Sequence, residues 1–600
     1  MSKQKTIFPN LSWPSTFFVL CVIVLLGIVL RCYGLNFGLP EFYDYDEPFM
    51  VDAAMNIAAG DLNPHYFNYP ASTLIYPLAG LYRSYYQIEK TTDNTLSFSL
   101  FAKQQEIDPS LLYLTGRSLS LLYSLGSILL LFLLGKLVFS KRVGLLSSFF
   151  LAICPLAVER SKVIRVDSAL LFFLLLLLYL SFRYYQTGKA TYAYLSGAAL
   201  GLSIASKYTG IVGVVVLVAA LFLRWREKNP NKILHHFLRV REFFFALLSA
   251  VGLFLISSPF VIIDHGKAFA DFFYEARWHQ LGHDSLPGVW NYLWYLSVAL
   301  PQAMGGFITV FGMLGVVFVL SQYRTKTMAI VLLLFGIFYW LFVGTLRLQW
   351  VHWILPVVPV LCLFAAYSTS MFIDWLENKL GWITIPIPFA VGLSANVHSS
   401  NSASLMLITK TSGKQAISDT FDQLEEKRFF TRNILLTSFF ILLISLNPVY
   451  SSLVDGFSKS TTTTRELAAN WIVNTVPVGS KIGREMFSPM PSSNLYSVYS
   501  PNFLAFHPMK FYQENNFDYL ISTSYLYEQF VKENALYPTY VAFYDELFSS
   551  AKLSAEFASN PLPDTVWKFL LKKPSLKKVV YGYDIKIYRL KDRSLSSPPL

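Results

Sequence analysis

The chain has 600 residues, of which 54% are hydrophobic and only 14% are charged, whereas a typical soluble domain carries about 25% charged residues. The mean hydropathy is +0.44. A water-soluble fold could not bury so much apolar surface, which excludes a soluble enzyme, a disordered scaffold and a collagen-like or solenoid array. The composition therefore predicts a mostly α-helical, polytopic membrane protein.

The net charge of +12 is interpreted as a topological signal. Lys and Arg cluster beside the apolar runs, so the charge does not indicate nucleic-acid binding. The cysteines also belong to apolar segments, and none forms a CxxC pair or a metal-binding spacing. We expect buried thiols at all four positions, Cys21, Cys32, Cys154 and Cys362.

Apolar runs that meet or approach the roughly 20 residues needed to cross a bilayer predict about eleven transmembrane helices. The first run is followed by no cleavage site of small residues, so we expect a retained span rather than a signal peptide. The predicted spans lie near residues 14–32, 112–138, 143–159, 166–183, 192–206, 209–224, 243–263, 301–321, 327–344, 350–373 and 433–450.

The distribution of Lys and Arg predicts the orientation of these spans. The connections on the same side as the N-terminus carry about twice as many cations as the alternate set, which predicts a cytoplasmic N-terminus. With an odd number of spans, the C-terminal tail lies on the extracytoplasmic side. In a prokaryote this membrane would be the plasma or inner membrane.

Residues 1–450 are predicted to form the membrane domain and residues 455–600 a small α/β domain. The membrane domain includes a long first external loop, 33–111, and a polar loop, 374–432, which we expect to be cytoplasmic and partly disordered. In the tail, Thr463 and Glu466 predict a capping box. The stretches KIGRE, FDYLISTS and YDIKIYRL predict strands, and TYVAFYDELFSS predicts a helix. The absence of an internal sequence repeat weighs against inverted-repeat transporters.

The densest group of acids directly follows the first span, in YDYDEPFMVDAAMNIAAGDLNPHYFNYPAS. Asp44, Asp46, Glu47 and Asp52 lie within nine residues there. A carboxylate at the membrane face stays ionised and can act as a general base, whereas one inside the hydrocarbon would be strongly penalised. The alternative is that these acids only stabilise the N-terminus of a helix that begins at Glu47-Pro48.

Asp44-Tyr45-Asp46 also forms a DxD pattern, by which soluble sugar-nucleotide transferases hold a divalent cation. Three-residue patterns are frequent by chance. This one lies on a membrane loop and not after a strand of an α/β domain, so a nucleotide-sugar site is the weaker interpretation.

A second ionisable group occupies the short turn between the third and fourth predicted spans. Its members are Glu159, Arg160, Lys162, Arg165 and Asp167. Such residues at a membrane edge are candidates for function, and the alternative is a self-neutralising loop. Asp167 opens an apolar span, so it needs a role or a partner, for which Arg165 is the nearest candidate.

Isolated cations form a third group. Lys207 lies alone between apolar stretches, Arg347 follows the ninth predicted span, and Arg277 and His279 lie on the loop after the seventh. Each could be a snorkelling cation, and the nearby histidines are weak evidence for a metal. Together these residues predict an external ring of cations that suits a phosphate-bearing lipid headgroup.

The order of these motifs resembles the GT-C membrane glycosyltransferases, and most closely the protein mannosyltransferase and lipid A aminoarabinose transferase group. An Asp-Glu pair in the first external loop is followed by NYP, which contains Tyr69. The resemblance continues through LTGRSLSLLYS, RVDSALLFF, ASKYTG, SPFVIIDHGKAF, RLQWVHWILPVVP and TTRELAANWIVNTVPVGSKI. It covers most of the chain.

The resemblance implies transfer of a sugar, with inversion, from a polyprenyl-phosphate donor to a protein, lipid or glycan acceptor at the extracytoplasmic face. It implies that Asp46 is the catalytic base, that Glu47 supports it and that Asp167 orients a substrate. It requires no cofactor, although a divalent metal stays open. The implied substrate-binding residues are Lys207, Arg165, Arg347, Arg277, His279 and Tyr69.

The sequence departs from the eukaryotic protein mannosyltransferases in one respect. We find no counterpart of their lumenal repeat domain, so sugar transfer is a firmer expectation than a protein acceptor. One alternative is an oligosaccharide ligase with a lipid-diphosphate donor. Another is a non-catalytic lipid or sugar transporter, which would place ionisable residues near mid-span.

Overall fold

The computed structural model describes residues 13–40, 46–232, 236–237, 240–281, 289–323, 325–346, 349–380, 438–532, 534–572, 574 and 576–590. Within these ranges the chain is mostly helical, with a five-stranded sheet near the C-terminus. The predicted fold class, a mostly α-helical chain with a small sheet-containing tail, is therefore confirmed.

Each of the eleven predicted apolar stretches is largely helical where it is described. The first ten helices are α1 (Trp13–Cys32), α2 (Glu47–Ala59), α3 (Ser72–Thr92), α4 (Phe98–Ile107), α5 (Ser110–Val138), α6 (Lys141–Ala152), α7 (Pro155–Arg160), α8 (Asp167–Thr187), α9 (Ala190–Ser206) and α10 (Val214–Lys228). The helices that follow are α11 (Arg241–Ser257), α12 (Phe260–Ile263), α13 (His265–Leu281), α14 (Val289–Trp294), α15 (Leu300–Met304), α16 (Gly306–Ser321), α17 (Thr327–Gly344), α18 (Val358–Leu380) and α19 (Ser438–Lys459). Single 3₁₀ segments precede α10 and α18, at Tyr208–Gly213 and Val351–Val357, and a π segment, Tyr295–Ala299, joins α14 to α15.

Seven helical segments of the described part are long and apolar enough to cross a membrane. They are α1, α5, α8, α17, α19 and the segments Tyr208–Lys228 and Val351–Leu376, and α16 is a shorter apolar helix. An integral membrane protein is thereby confirmed. The count of about eleven spans, and the side of the membrane on which each terminus lies, stay predictions.

The helices pack closely because small residues face each other at their crossings. A Cβ atom at Gly197 of α9 would collide with the backbone of Ala246 of α11, and one at Gly201 would collide with that of Ala250. Small residues at such positions let membrane helices approach each other, so that their backbones come into contact.

The predicted first external loop is largely folded where it is described, and it is not extended. It contains α2, α3 and α4, and α2 and α3 share a buried apolar cluster with the start of α5 and the turn before α8. Met50, Leu74 and Tyr82 belong to this cluster together with Ile164 and Val166. The loop therefore forms a cap that is fixed on one end of the helix bundle.

Three contacts bring the helix ends on this side together. Arg117 near the start of α5 donates to the carbonyl of Phe37, which follows α1. Lys207 after α9 pairs with Asp167 at the start of α8, and Lys162 before α8 pairs with Asp455 near the end of α19. The tail follows α19 and so begins at the same end of the bundle.

The tail forms a sheet in the order β2-β1-β3-β5-β4. β1 pairs in parallel with β2 and β3, whereas β5 is antiparallel to β3 and β4. The strands are β1 (Lys481–Arg484), β2 (Ser497–Tyr499), β3 (Tyr519–Thr523), β4 (Lys552–Phe557) and β5 (Ile585–Arg589). The helices are α20 (Thr464–Thr475), α21 (Met509–Glu514), α22 (Ser524–Lys532), α23 (Pro538–Ser550) and α24 (Val566–Lys572), with 3₁₀ turns at Leu504–Phe506 and Leu576–Lys578.

The sequence predictions for the tail are confirmed element by element. Thr463 and Glu466 form the predicted capping box at the start of α20. The three predicted strands are β1, β3 and β5, and the predicted helix is α23. Successive residues of β3 face opposite sides of the sheet: Leu520 joins one apolar cluster and Ile521 joins the other.

The expectation of four buried thiols is wrong for two of the cysteines, and most of the predicted polar loop lies outside the described residues. Cys154 and Cys362 are buried thiols as expected, whereas Cys21 and Cys32 are exposed on the protein surface. Both exposed cysteines lie on α1, a peripheral helix with much of its apolar surface uncovered. Of the predicted polar loop, residues 374–380 still belong to α18, and the remainder lies outside the described residues.

Candidate active site

A cavity of about 920 Å3 is lined by both the helix bundle and the tail. The bundle supplies its charged side chains, and the tail, from α20 onward, supplies mainly aromatic and amide side chains. Its charged lining residues are Asp46, Glu159, Arg160, Arg165, Asp167, Lys207, Glu275 and Lys459, and one histidine, His352, accompanies them.

Asp46 lies directly before α2 and faces this cavity. Its Oδ2 atom is 2.8 Å from Nη1 of Arg165, which belongs to the turn between α7 and α8. Both side chains are partly exposed to the cavity, at 32% and 19% respectively. A guanidinium at this distance favours the ionised carboxylate, the form that a general base requires.

Glu47, the next residue, has a different environment. Its carboxylate is fully buried and accepts two hydrogen bonds from Arg117, from Nε at 2.8 Å and from Nη2 at 2.7 Å. The backbone N–H of Ile164 donates to the same carboxylate at 3.0 Å. Glu47 is absent from the described cavity lining. Its contacts join the start of α2 to α5 and to the turn before α8, and they thereby position Asp46 and Arg165.

Asp167 is the first residue of α8 and is only 5% exposed. Its Oδ1 atom accepts a hydrogen bond at 3.1 Å from Nζ of Lys207. We expected Arg165 to be the direct partner of Asp167. This expectation is wrong, because the side chain of Arg165 contacts Asp46 instead. Lys207 is extended at the end of α9, and this conformation directs its side chain to α8.

The NYP segment lies beside Lys207. The N–H of Ala71 donates to the carbonyl of Ser206 at 3.3 Å, and the hydroxyls of Thr73 and Ser206 are 2.7 Å apart. These bonds fix the residues on either side of Tyr69 and Lys207, which both line the cavity.

Tyr69 belongs to a small aromatic group next to Asp46. Its ring meets that of Tyr66 edge to face at 5.3 Å, and the Tyr66 ring stacks on Phe49 at 6.0 Å. Burial, together with the negative charge of Asp46, raises the pKa of Tyr69 well above its usual value, and burial also raises that of Tyr66. Both phenols are therefore neutral, and because they share one side-chain hydrogen bond, one O–H group is left to donate to a ligand.

The cavity also contains residues that were not in the predicted set. Nη2 of Arg160 contacts Oε1 of Glu159 at 2.6 Å. The Nε atom of Arg160 and the Nε2 atom of Gln349 are buried and have no hydrogen-bond partner among the described residues. Unpaired buried donors are costly, so both donors are available to acceptor oxygens of a ligand.

The sequence motifs contain some of these cavity residues, but they do not show that the residues lie together. Arg160 and Glu159 belong to the ionisable turn, and Gln349 and His352 belong to the RLQWVHW stretch, but only the fold brings the two together. Lys459, whose Nζ lies 2.8 Å from Asp455 and 5.0 Å from the Phe37 ring centroid, follows the last apolar run and gave no signal of its own.

Other predicted residues lie outside the described part of the chain. These are Arg347, Asp44 and the side chains of Arg277 and His279, although the backbone of α13 is described through Leu281. Glu275 on the same helix lines the cavity and accepts a hydrogen bond from Asn68. Within the described ranges no group of three His, Cys, Asp or Glu side chains converges on one point, and metal dependence stays untested.

The segment that carries most of these residues matches a known family. Residues 113–259 match the family model of dolichyl-phosphate-mannose-protein mannosyltransferases. This segment of the chain is therefore similar to that family. The resemblance predicted from the sequence is thereby confirmed. The matched segment includes Arg117, Arg160, Arg165, Asp167 and Lys207.

Three solved structures illustrate its likeness to other proteins. The archaeal oligosaccharyltransferase AglB from Archaeoglobus fulgidus, in complex with an inhibitory peptide and a dolichol-phosphate, is 12% identical, and the alignment covers 93% of this chain and 75% of that chain with a TM-score of 0.44. ArnT from Cupriavidus metallidurans, bound to undecaprenyl phosphate, is 13% identical, with coverage of 98% and 100% and a TM-score of 0.45. The protein O-mannosyltransferase Pmt1-Pmt2 complex of S. cerevisiae, bound to the sugar donor, is 19% identical, with coverage of 42% and 34% and a TM-score of 0.31.

These TM-scores are below 0.5, so none of the three structures assigns a residue or a substrate to this chain. No curated protein matches the chain significantly.

Proposed function

We propose that the protein transfers a sugar from a polyprenyl-phosphate donor to an acceptor hydroxyl or amine, with inversion at the anomeric carbon. The observation that carries this proposal is the lining of a single cavity. Two carboxylates, Asp46 and Asp167, share it with three cations, Arg160, Arg165 and Lys207. The family of the matched segment takes its name from a dolichyl-phosphate sugar.

Asp46 acts as the general base in this proposal. It takes the proton of the acceptor group as the acceptor atom forms its bond to the anomeric carbon. The bond between that carbon and the phosphate oxygen breaks on the opposite side of the sugar ring. The 2.8 Å contact with Arg165 keeps Asp46 ionised before the reaction, as a base in water near neutral pH requires.

The cations act on the leaving group. The departing lipid phosphate gains negative charge, and positive groups already in position stabilise it without reorganising. Lys207 is held by Asp167 at 3.1 Å, while Arg160 has a buried donor without a protein partner among the described residues. Both can therefore donate to phosphate oxygens, and Arg347 is proposed to join them.

Asp167 has a positioning role in this reaction. Its partner Lys207 is fixed relative to α8, and the carboxylate also lies in the cavity lining, where it can accept a hydroxyl hydrogen bond from a sugar. Tyr69, a neutral phenol beside Asp46, is proposed to bind substrate, as are Arg277 and His279. The proposal needs no cofactor, because the chain's own cations offset the phosphate charge.

The same proposal includes an arrangement in the membrane. Residues 1–450 form the catalytic membrane domain, and residues 455–600 form an extracytoplasmic domain. The N-terminus is cytoplasmic, so the cavity opens to the extracytoplasmic side. Labelling of single engineered cysteines in the tail with a membrane-impermeant reagent tests this orientation, and labelling only after the membrane is broken would contradict it.

A donor panel tests the reaction. Membranes that contain the protein are incubated with radiolabelled polyprenyl-phosphate hexoses and pentoses and with a polyprenyl-diphosphate oligosaccharide, and the protein, lipid and glycan fractions are counted. Transfer from a monophosphate sugar that is lost in Asp46→Asn supports the proposal. Transfer from the diphosphate alone would identify an oligosaccharide ligase, and movement of intact lipid without transfer would identify a transporter.

A further inference from the structure

The tail forms the side of the cavity that the proposed reaction has not used. Three of its rings make mutual contacts there: Phe487 lies 4.4 Å from Tyr525 and 5.5 Å from Tyr583, and Tyr525 lies 4.9 Å from Tyr583, between centroids. All three residues line the cavity. We call them the aromatic cluster.

The chemistry of this side differs from that of the bundle side. Among the described lining residues, those from the tail include no charged side chain. Two amides, Asn502 and Gln529, accompany the rings. The tail lining consists of Met486, Phe487, Asn502, Phe503, Tyr525, Leu526, Gln529, Phe530, Tyr581, Gly582 and Tyr583. An anionic phosphate would bind at the cationic bundle side and not here.

The aromatic cluster is held in a conformation that costs energy. Phe487 has a φ of 64°, in the left-handed region that a bulky residue rarely adopts. Such strain persists only where the surroundings impose it, and it is concentrated at functional sites. Tyr583 follows Gly582, whose φ of 125° is accessible to glycine, so a special backbone conformation presents this ring as well.

One buried carboxylate fixes the segments that carry the aromatic cluster. Glu485, two residues before Phe487, accepts hydrogen bonds from the N–H groups of Thr523 at 2.6 Å and Leu504 at 3.1 Å. Thr523 immediately precedes α22, which carries Tyr525 and Gln529, and Leu504 follows Asn502. The N–H of Met486 also donates to the carbonyl of Asn502 at 3.2 Å. The rings and amides are therefore preorganised as one surface.

A surface of neutral rings and amides fits one class of ligand best. The C–H faces of a pyranose pack on aromatic rings, and its hydroxyls exchange hydrogen bonds with amide and phenol groups. We infer that the aromatic cluster is an acceptor subsite for a neutral glycan. This inference rests on the proposed function, since the glycan held there offers a hydroxyl to Asp46 across the same cavity.

The experiment measures glycan and donor binding separately on the full-length protein in detergent. The probes are mannotriose, maltotriose and chitotriose, followed by saturation-transfer NMR, and undecaprenyl phosphate, followed by quenching of intrinsic fluorescence. The variants are Phe487→Gly, which adopts the left-handed backbone without strain and removes only the ring, and Tyr583→Ala. Trp567→Ala is the matched control, because this aromatic residue of the tail is exposed and lies outside the described cavity lining.

We expect at least one trisaccharide to bind, and its dissociation constant to rise about tenfold or more in both variants, since each removes a stacking ring. Undecaprenyl phosphate binding should stay unchanged, and Trp567→Ala should bind both probes normally. Tyr525→Phe, which keeps the ring, should retain most of the trisaccharide affinity.

Other results would overturn the inference in distinguishable ways. If no trisaccharide binds, or if all variants bind it equally, the subsite is refuted while transfer from a labelled donor still supports the proposed function. If the variants impair transfer only to an unglycosylated Ser/Thr peptide, the surface binds peptide and the glycan inference is wrong. If undecaprenyl phosphate does not bind and no label moves, the proposed function fails and the acceptor role falls with it.

Discussion

The guanidinium of Arg165 lies 2.8 Å from the carboxylate of Asp46, although the two residues are separated by most of the predicted first external loop and three further helices. This contact joins the proposed base to the proposed phosphate-binding group. As Asp46 takes up the acceptor proton, its attraction for Arg165 weakens. At the same moment the leaving phosphate gains negative charge, and the positive charge of Arg165, no longer balanced by Asp46, helps to offset it.

Replacement of the base is the first prediction. Asp46→Asn should lower the transfer rate by about 10² to 10⁴-fold, the usual range for loss of a general base, with little change in thermal stability. The measurement is initial rate with the active labelled donor.

The matched control for this substitution is Asp52→Asn. Asp52 lies six residues further on, is exposed on α2 and is not in the described cavity lining. Its variant should retain the wild-type rate. If Asp46→Asn also transferred sugar at a near-normal rate, Asp46 would have no place in the mechanism.

The second prediction concerns the pair of Lys207 and Asp167. Lys207→Ala removes a proposed phosphate ligand and also leaves a buried carboxylate without its direct cation, which costs about 3–5 kcal/mol when a buried pair is broken. The double variant Lys207→Ala with Asp167→Asn removes both charges and should recover most of that stability. Its affinity for undecaprenyl phosphate should nevertheless stay at least about tenfold below wild type, since a charge-assisted hydrogen bond is lost.

Lys267→Ala is the control for charge alone. Lys267 is more exposed, pairs with Asp271 four residues later and is not in the described cavity lining. Its variant should bind undecaprenyl phosphate normally. Recovery of wild-type affinity in the double variant would show that Lys207 acts only by neutralising Asp167.

Much of the membrane part was predictable because an apolar run long enough to cross a bilayer has few other stable conformations. In the tail, β1, β3 and β5 were predicted, and most of their residues are buried. β2 and β4 were not predicted. They are the edge strands, their side chains are mostly exposed or half-buried, and so they lack the apolar pattern that identifies a buried strand.

The candidate site was predicted only where chain neighbours suffice. Asp46 and Asp167 follow from acids placed at the edges of apolar runs. The pairing of acids with cations does not, because Arg165 is closest to Asp167 in sequence but contacts Asp46, while Lys207 arrives from another helix. Arg117 is the clearest omission. It appears as one arginine in an apolar run, and only the folded cap shows that it binds Glu47.

The third prediction tests that buried pair. Arg117→Met leaves the fully buried Glu47 carboxylate without its guanidinium and should destabilise the cap formed by α2 to α4 by about 3–5 kcal/mol. The additional change Glu47→Met should restore part of this loss, because no buried charge then remains. Thermal unfolding, combined with proteolysis within residues 46–107, reads out the effect.

Arg83→Met is the matched control for Arg117→Met. Arg83 lies on the same cap, is exposed and donates to the carbonyl of Ala58 rather than to a carboxylate. It should lower stability far less. Equal destabilisation by the two variants would mean that the Glu47–Arg117 pair has no special role in holding the cap.

The last prediction concerns pH and Glu485, the carboxylate beneath the aromatic cluster. Burial raises its pKa from 4.5 to about 7, although hydrogen bonds from Tyr544 and Thr523 act in the opposite direction. Below pH 4.5 the carboxyl is protonated in both the folded and the unfolded chain. As pH rises from there toward 7, the unfolded chain loses this proton first, so the folded tail becomes progressively less stable. The full loss is roughly 3 kcal/mol, which scanning calorimetry should detect as a lower unfolding midpoint of the tail at pH 8 than at pH 5.

Glu485→Leu removes the titrating group and should flatten this dependence, whereas Glu528→Gln, at an exposed position on α22, should leave it intact. A wild-type midpoint that is constant or rises between pH 5 and 8, with the Glu485→Leu profile parallel to it, would show that Glu485 does not titrate in this range.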